Sequence, residues 1–141
     1  MTAPGTYALI LRADRPAHIH VGRLGAMNVA PGFYVYVGSA FGPGGLDARV
    51  GRHRRGDGRV RWHIDHLRAV TRVVEVWATT DPVRREHDWA GVFRCWPGAS
   101  VPVPGFGASD CACRTHLVRL QRRPSLARMR RMTSGAMVAR V

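Results

Sequence analysis

The stretch from Gly32 to His53, GFYVYVGSAFGPGGLDARVGRH, restricts the fold of this chain more than any other segment. Residues Phe33 to Val37 are all aromatic or β-branched and follow a Pro31-Gly32 turn, which predicts a strand. Four glycines between residues 38 and 45 predict a loop whose backbone can adopt conformations that side chains forbid. Apolar residues recur at helical spacing from residue 46 onward, so we predict a strand, a glycine loop and a helix in succession.

Two basic side chains lie on one face of that predicted helix. Arg49 and His53 are separated by one helical turn, so their side chains share a face. Together with the tyrosines of the preceding strand they predict a site that handles an anion. The same pattern is also typical of an ordinary strand–helix unit with a cationic exposed face, and the residues leave both interpretations open.

The charge of the chain indicates which anion to expect. All 22 Lys and Arg positions are arginines, only nine residues are Asp or Glu, and the formal net charge is +13. A compact fold with this excess repels itself unless a polyanion is a regular partner, and nucleic acid is the usual one. A GC-rich genome would explain the missing lysines but not the scarcity of carboxylates. We expect a nucleic-acid partner, with DNA as the first candidate, and predict no particular protein partner.

Length and cysteine content set the class of protein. The 141 residues suffice for one domain with a hydrophobic core and are too few for two comfortable ones. There is no apolar run of membrane-spanning length and no secretion signal, so we expect no membrane partner. Three cysteines, an odd number, argue against a disulfide framework. We expect a cytoplasmic protein that is associated with the nucleoid when bound to DNA.

The other patterns predict a small α/β domain. Thr6 to Leu11 and Arg72 to Ala78 are predicted strands, and residues 62–70 are a predicted short helix. Asp81-Pro82 is a helix-start signal, and the helix that it predicts runs to about Cys95. We place one domain at residues 1–121, with its main part at about 5–95 and a Cys/His-containing segment at 96–121. Residues 122–141 are strongly basic without a clean apolar face, and we predict a disordered tail.

Two short motifs place a tyrosine beside a glycine on strands that can pair, Gly5-Thr6-Tyr7 and Tyr36-Val37-Gly38. A lone strand tyrosine is typical of a core residue whose hydroxyl reaches the surface. Here Arg49 and His53 follow the second motif, and Glu86, one of two glutamates, lies on a later predicted helix. In this order, the residues resemble the GIY-YIG nuclease family.

The resemblance is strongest to one subfamily, in which the domain is sometimes fused to endonuclease III-type glycosylases. The shared motifs are a YVYVGSA strand, a GGL…R…RH helix, a WHID segment and a C-terminal SDCxCxxHL motif, here Tyr34–Ala40, Gly44–His53, Trp62–Asp65 and Ser109–Leu117. The longer separation of the two tyrosine motifs fits an inserted hairpin around residues 18–25. The expected fold is therefore a largely antiparallel three-stranded core sheet flanked by helices, with an inserted N-terminal hairpin.

The resemblance also implies a reaction, the hydrolysis of phosphodiester bonds in DNA with Mg²⁺ or Mn²⁺, in DNA repair or processing. By resemblance Tyr7 is the general base, Glu86 is the metal ligand and Arg49 clamps the phosphate. Tyr36 and His53 position the water or the phosphate, and His53 can relay a proton. The expected substrate-binding residues are Gly38, Ser39, Arg52, Arg54, Arg55 and His63.

A second constellation contains groups that bind zinc. Cys111, Cys113 and His116 lie within six residues and could supply three ligands of a tetrahedral ion. The fourth candidate is His87, which stands where the subfamily is expected to have cysteine, and Cys95 is the alternative. Against a zinc site, the C-x-C-x2-H spacing is uncommon and free cysteines are often simply buried.

Two rival functions belong to other classes. The same basic face could serve a non-catalytic DNA- or RNA-binding module, which would need no metal. The Cys/His cluster could belong to a zinc-stabilised interaction protein. The sequence does not distinguish duplex, branched, damaged or single-stranded substrates, because no helix with an evident base-reading pattern is visible.

Overall fold

An antiparallel sheet forms the middle of the computed structural model, which describes residues 2–56, 58–108, 113–133 and 137–141. The strands in these residues are β1 (Gly5–Ala13), β2 (Ala17–His20), β3 (Ala26–Val29), β4 (Gly32–Ala40), β5 (Arg72–Thr79), β6 (Leu117–Leu120) and β7 (Ala139–Arg140). Five of them form one sheet in the order β6-β4-β1-β5-β7, and β2 pairs with β3 separately. All neighbouring pairs are antiparallel.

The three predicted main strands are the inner strands of this sheet, but the predicted sheet was too small. The register of β1 with β4 runs from the pair Gly5–Ala40 to the pair Ala13–Gly32, and β5 pairs with the other edge of β1. β6 and β7 extend the sheet at its two edges. Both are too short to show a periodic pattern of their own, which is why the sequence does not reveal them.

The predicted hairpin insertion is present. β2 and β3 pair from Ala17–Val29 to His20–Ala26, and a short 3₁₀ helix at Gly22–Leu24 connects them. Met27 and Val29 are buried, while the alternate residues of β3 are exposed. The hairpin therefore packs one face against the rest of the molecule, as a two-stranded unit must in order to be stable.

Four α-helices flank the sheet in the described part of the chain, namely α1 (Gly45–Arg55), α2 (His63–Arg68), α3 (Glu86–Arg94) and α4 (Leu126–Met132). α3 begins later than the Asp81-Pro82 signal predicts. The Asp81 carboxylate accepts a hydrogen bond from the Val83 N–H at 2.9 Å, so it closes a turn instead of starting the helix. None of the helices found in these residues is long and apolar enough to span a bilayer.

The C-terminal segment also differs from its prediction as a disordered tail. Its described residues form α4, which is capped by Ser125, and β7, which pairs with Trp77 and Ala78 of β5. Met129 and Val138 are almost completely buried. A few apolar residues among many arginines are enough to anchor this segment, although they form no continuous apolar face.

The sheet separates two hydrophobic clusters because successive residues of a strand point to opposite faces. Tyr7, Leu9 and Leu11 of β1 belong to the cluster that packs against α1, α2 and the hairpin. Ala8 and Ile10 belong to the cluster on the other face, with residues of α3 and α4. We call these the α1 face and the α3 face.

Candidate active site

The register of β1 and β4 brings the two tyrosine motifs together. Tyr7 lies opposite Gly38, and a Cβ atom at residue 38 would overlap the Tyr7 hydroxyl and ring. Glycine at this position therefore leaves the space that the phenol occupies. Tyr36 precedes Gly38 by two residues on β4. Tyr7 and Tyr36 both point to the α1 face.

The Tyr7 hydroxyl is bonded to the histidine of α1. Its Oη lies 2.7 Å from Nε2 of His53, and the two residues are only 1% and 2% exposed. Burial raises the pKa of Tyr7 well above its ordinary value, and Tyr36 adds to this while Arg49 opposes it. Burial lowers the pKa of His53 to about 4. Both groups are therefore neutral at neutral pH, and the hydroxyl and the imidazole share one hydrogen bond.

The second tyrosine lies beside this pair. The rings of Tyr36 and His53 meet edge to face with centroids 6.2 Å apart, and Tyr36 also contacts Phe106 edge to face. Gly107 packs directly behind Tyr36, where a Cβ would lie 2.9 Å from its ring. Burial raises the pKa of Tyr36, and the negative charge of Glu86 adds to this effect. Tyr36 is therefore a neutral hydroxyl held in one position.

Arg49 is half-buried and is held on two sides. Its guanidinium donates to the Ser39 carbonyl at 3.1 Å and lies 4.4 Å from the centroid of the Trp62 ring. A guanidinium over an indole is stabilised by the ring's electrostatic field and loses little freedom when it binds an anion. Arg49 is thus held in one orientation beside Tyr7.

Arg52, a predicted substrate-binding residue, is paired within the protein. It donates two hydrogen bonds to Asp65, each 3.0 Å long, and its guanidinium lies 4.3 Å from the Trp62 ring centroid. The same carboxylate accepts the backbone N–H groups of Arg61 and Trp62 at 2.8 and 2.9 Å. Arg52 and Asp65 therefore fix the indole on which Arg49 lies.

Glu86 starts α3 at the edge of the sheet. Its side chain is 24% exposed, and one carboxylate oxygen lies 3.6 Å from Nδ1 of His116. No arginine lies within ion-pair distance of this carboxylate among the residues that the structure describes. In a chain so rich in arginine, a carboxylate without such a pair is available to a ligand.

These side chains surround one open cleft of about 350 Å³. The predicted catalytic and substrate-binding residues that line it are Tyr7, Tyr36, Gly38, Ser39, Arg49 and Glu86, and two predicted zinc ligands, His87 and His116, line it as well. His53 lies behind Tyr7, in contact with both tyrosines. Trp62, Arg84 and Gly107 also line the cleft and were not predicted as site residues. Only the WHID segment of the resemblance gave any signal for Trp62, and none was available for Arg84.

Four predicted substrate-binding residues lie outside the lining of the cleft, namely Arg52, which pairs with Asp65, and Arg54, Arg55 and His63. Arg54 is exposed and donates to the carbonyl of Val141 at 2.6 Å, and Arg55 is also exposed. Nδ1 of His63 accepts the backbone N–H of Gly107 at 2.8 Å. His63 therefore supports the loop that backs Tyr36, while Arg54 and Arg55 lie on the surface near the end of α1.

Three of the four predicted zinc ligands come together at one side of the cleft. The donor atoms of His87, Cys113 and His116 all lie within 4.8 Å of one another. Cys111, the fourth, lies outside the described residues. Cys95, the alternative fourth ligand, is exposed at the end of α3.

A comparison with protein families matches residues 6–138 to the model described as "Domain of unknown function DUF123". The chain belongs to the DUF123 family. DUF123 is a GIY-YIG-like domain, so the match agrees with the resemblance at the level of the superfamily. It also includes all of α4 and ends just before β7, so most of the C-terminal segment lies inside the DUF123 domain. No curated protein and no solved structure matches this chain.

Proposed function

We propose that this DUF123 domain is a metal-dependent DNA endonuclease that hydrolyses phosphodiester bonds, in DNA repair or processing. The observation that carries the proposal is the convergence of Tyr7, Tyr36, Arg49 and Glu86 on one cleft. They come from two strands and two helices, β1, β4, α1 and α3, and Tyr7 and Glu86 lie 79 residues apart in the sequence. Perturbed ionisable groups that meet in a cleft are typical of functional sites.

The Tyr7–His53 pair supplies a route for the proton of the attacking water. Because Tyr7 is protonated at neutral pH, its oxygen can accept a proton from water only if it gives up its own. Nε2 of His53, at 2.7 Å, is placed to take that proton. Nδ1 of His53 is buried and has no hydrogen-bond partner among the described residues, so the imidazole can release this proton only back to Tyr7. As it does so, Tyr7 passes the proton that it took from water to the leaving oxygen of the cleaved phosphodiester or to solvent in the cleft.

Arg49 would bind the scissile phosphate. Its guanidinium is fixed by Ser39 and Trp62, and it lies close enough to Tyr7 to act on the pKa of the phenol. A positioned guanidinium neutralises the charge that develops on the phosphoryl oxygens in the transition state. The Tyr36 hydroxyl, in the same cleft, would orient the water or a phosphate oxygen.

Glu86 fits the role of a magnesium ligand. Mg²⁺ in phosphoryl-transfer sites is held by one or two carboxylates, with the rest of its shell supplied by water and phosphate oxygens. A single accessible carboxylate at the edge of the cleft meets this requirement. When bound, Mg²⁺ would supply charge stabilisation at the phosphate.

Charge and exposure support a nucleic-acid substrate. The formal net charge is +13, and Arg54 and Arg55 are exposed at the end of α1, next to the basic segment 58–61. Cations of this kind contact phosphates without reading sequence, so we expect binding that weakens steeply with salt.

The experiment that tests the proposal is cleavage of labelled duplex, flap, fork, junction, nicked and single-stranded DNA with Mg²⁺, Mn²⁺ or EDTA. We expect metal-dependent cleavage that Glu86→Gln abolishes. The matched control is Asp88→Asn on the same helix, because the Asp88 side chain is 69% exposed and lies 3.7 Å from Arg85, away from the cleft. Cleavage that survives in Glu86→Gln would contradict the assignment of this residue.

The rival function is a binding module on the same fold, and the net charge of +13 with exposed arginines at the end of α1 favours it. Binding alone should persist in EDTA and in Glu86→Gln, since neither removes an arginine. If neither the wild type nor the variant cleaves any DNA of the panel, and both still shift it in gels, the binding module replaces the nuclease.

A further inference from the structure

The side chains of His87, Cys113 and His116 form a cluster that the proposed hydrolysis does not use. Nδ1 of His87 lies 2.7 Å from Sγ of Cys113, a separation at the lower end of the range for N–H···O bonds although sulfur is the larger atom. The rings of His87 and His116 meet edge to face with centroids 5.9 Å apart. Two imidazoles and a thiol thus converge from segments that are 26 residues apart in the sequence.

We propose that His87, Cys113 and His116 bind one zinc ion. Zinc–sulfur and zinc–nitrogen bonds of about 2.3 and 2.0–2.1 Å place the ligand atoms of a tetrahedral ion roughly 3.5 Å apart. The donor atoms of this cluster span 2.7 to 4.8 Å, so small side-chain adjustments bring them onto one ion. Thiolate and imidazole select zinc and exclude magnesium, which prefers oxygen ligands.

The backbone holds the deepest of the three ligands in place before any metal binds. His116 is only 3% exposed, its N–H donates to the Phe106 carbonyl at 2.8 Å, and its carbonyl accepts the Val37 N–H at 3.0 Å. His87, by contrast, lies on the first turn of α3 and is exposed. The ion would therefore join a fixed segment beside β4 to the start of α3.

The zinc would also fix the orientation of Glu86. One oxygen of its carboxylate lies 3.6 Å from Nδ1 of His116, within reach of a hydrogen bond after a small shift. A carboxylate that pairs with the second nitrogen of a ligating imidazole is the usual outer partner of such sites and orients the ring. The zinc site thus borders the cleft without supplying the phosphate-binding metal.

The test is metal analysis and cobalt spectroscopy on the reduced full chain, purified without a polyhistidine tag. We expect about one zinc per chain by mass spectrometry, as for one ion held by these three ligands. The Co²⁺-loaded protein should show a thiolate-to-cobalt charge-transfer band in the near ultraviolet, which excess Mg²⁺ does not displace. None of these readouts depends on cleavage.

Two variants and one control decide the ligands. Cys113→Ser should remove the charge-transfer band, whereas Cys95→Ser, at an exposed cysteine, should keep it. His87→Ala should weaken zinc binding by more than about 100-fold, because loss of an outer partner alone costs roughly 10–100-fold. His87 is exposed, so this variant tests the site even if Cys113→Ser fails to fold. A chain that retains no metal, or a band that persists in Cys113→Ser, would overturn the proposal.

Discussion

The substitution Tyr7→Phe separates the chemical role of the Tyr7 hydroxyl from its structural role. It removes one buried hydrogen bond of 2.7 Å and leaves Nε2 of His53 without a partner. Nδ1 of the same ring already has no hydrogen-bond partner among the described residues, so neither nitrogen of the buried imidazole would then form a hydrogen bond to them. An orphaned buried polar group costs about 1–3 kcal/mol, so we expect the free energy of unfolding to fall by about 2 kcal/mol.

The same protein contains a matched control. Tyr34 is also completely buried, and its hydroxyl donates to the Ala30 carbonyl at 2.7 Å, outside the lining of the cleft. Tyr34→Phe should therefore lower stability by a similar amount. With an m-value of about 2 kcal/mol per molar urea, each substitution should shift the denaturation midpoint by roughly 1 M.

Cleavage should distinguish the two variants. Loss of a positioned proton-transfer group lowers rates by roughly 10²–10⁴-fold, so single-turnover cleavage should fall by that factor in Tyr7→Phe and remain near the wild-type rate in Tyr34→Phe. Both should be assayed well below their unfolding temperature, where the folded fraction is complete. If Tyr7→Phe loses stability but cleaves normally, the hydroxyl is only a packing and hydrogen-bonding group and the relay through His53 is refuted.

Three further predictions follow from the same geometry. Gly38→Ala would place a methyl group where the Tyr7 hydroxyl lies, so cleavage should fall as far as in Tyr7→Phe while DNA binding in a gel-shift assay persists. As pH falls from about 6.5 to about 4, the unfolded chain binds a proton that buried His53 excludes, so stability in urea should drop by about 3 kcal/mol relative to His53→Gln, which lacks this titration. Glu75→Gln would replace the carboxylate that pairs with Arg140 by a neutral amide, so amide exchange in β7 should become faster. The free energy of unfolding should fall by about 0.2–1 kcal/mol, since the arginine is largely exposed.

The sequence predicts the inner part of the fold because its signals are local. The aromatic strand, the glycine loop and the helix that carries Arg49 and His53 each have a pattern that can be recognised without knowing what packs against them. The two tyrosine–glycine motifs were predicted to lie on strands that can pair, and the observed pairing of Tyr7 with Gly38 agrees with this. The convergence of these residues with Glu86 came from the resemblance and not from periodicity.

Features that depend on tertiary contacts could not be predicted. The role of Arg52 is one example, because nothing local indicates that its guanidinium pairs with Asp65 and lies over Trp62. The late start of α3 is another, since Thr6 Oγ1 accepts the Arg85 N–H at 3.1 Å and helps to hold the preceding turn. β7 and the burial of Met129 likewise arise from contacts with distant residues.

The tryptophans lie on opposite faces of the sheet, so their fluorescence should report on two different events, ligand binding and unfolding. Three of its four tryptophans, Trp77, Trp89 and Trp96, pack on the α3 face, whereas Trp62 lies in the cleft with Arg49 and Arg52 over its ring. A phosphate that draws Arg49 from the indole would change the emission of Trp62 and leave the other three as they are. Denaturation would change mainly the emission of those three. We therefore expect separate intrinsic optical probes for the proposed substrate binding and for folding, and Trp62→Phe should silence only the first.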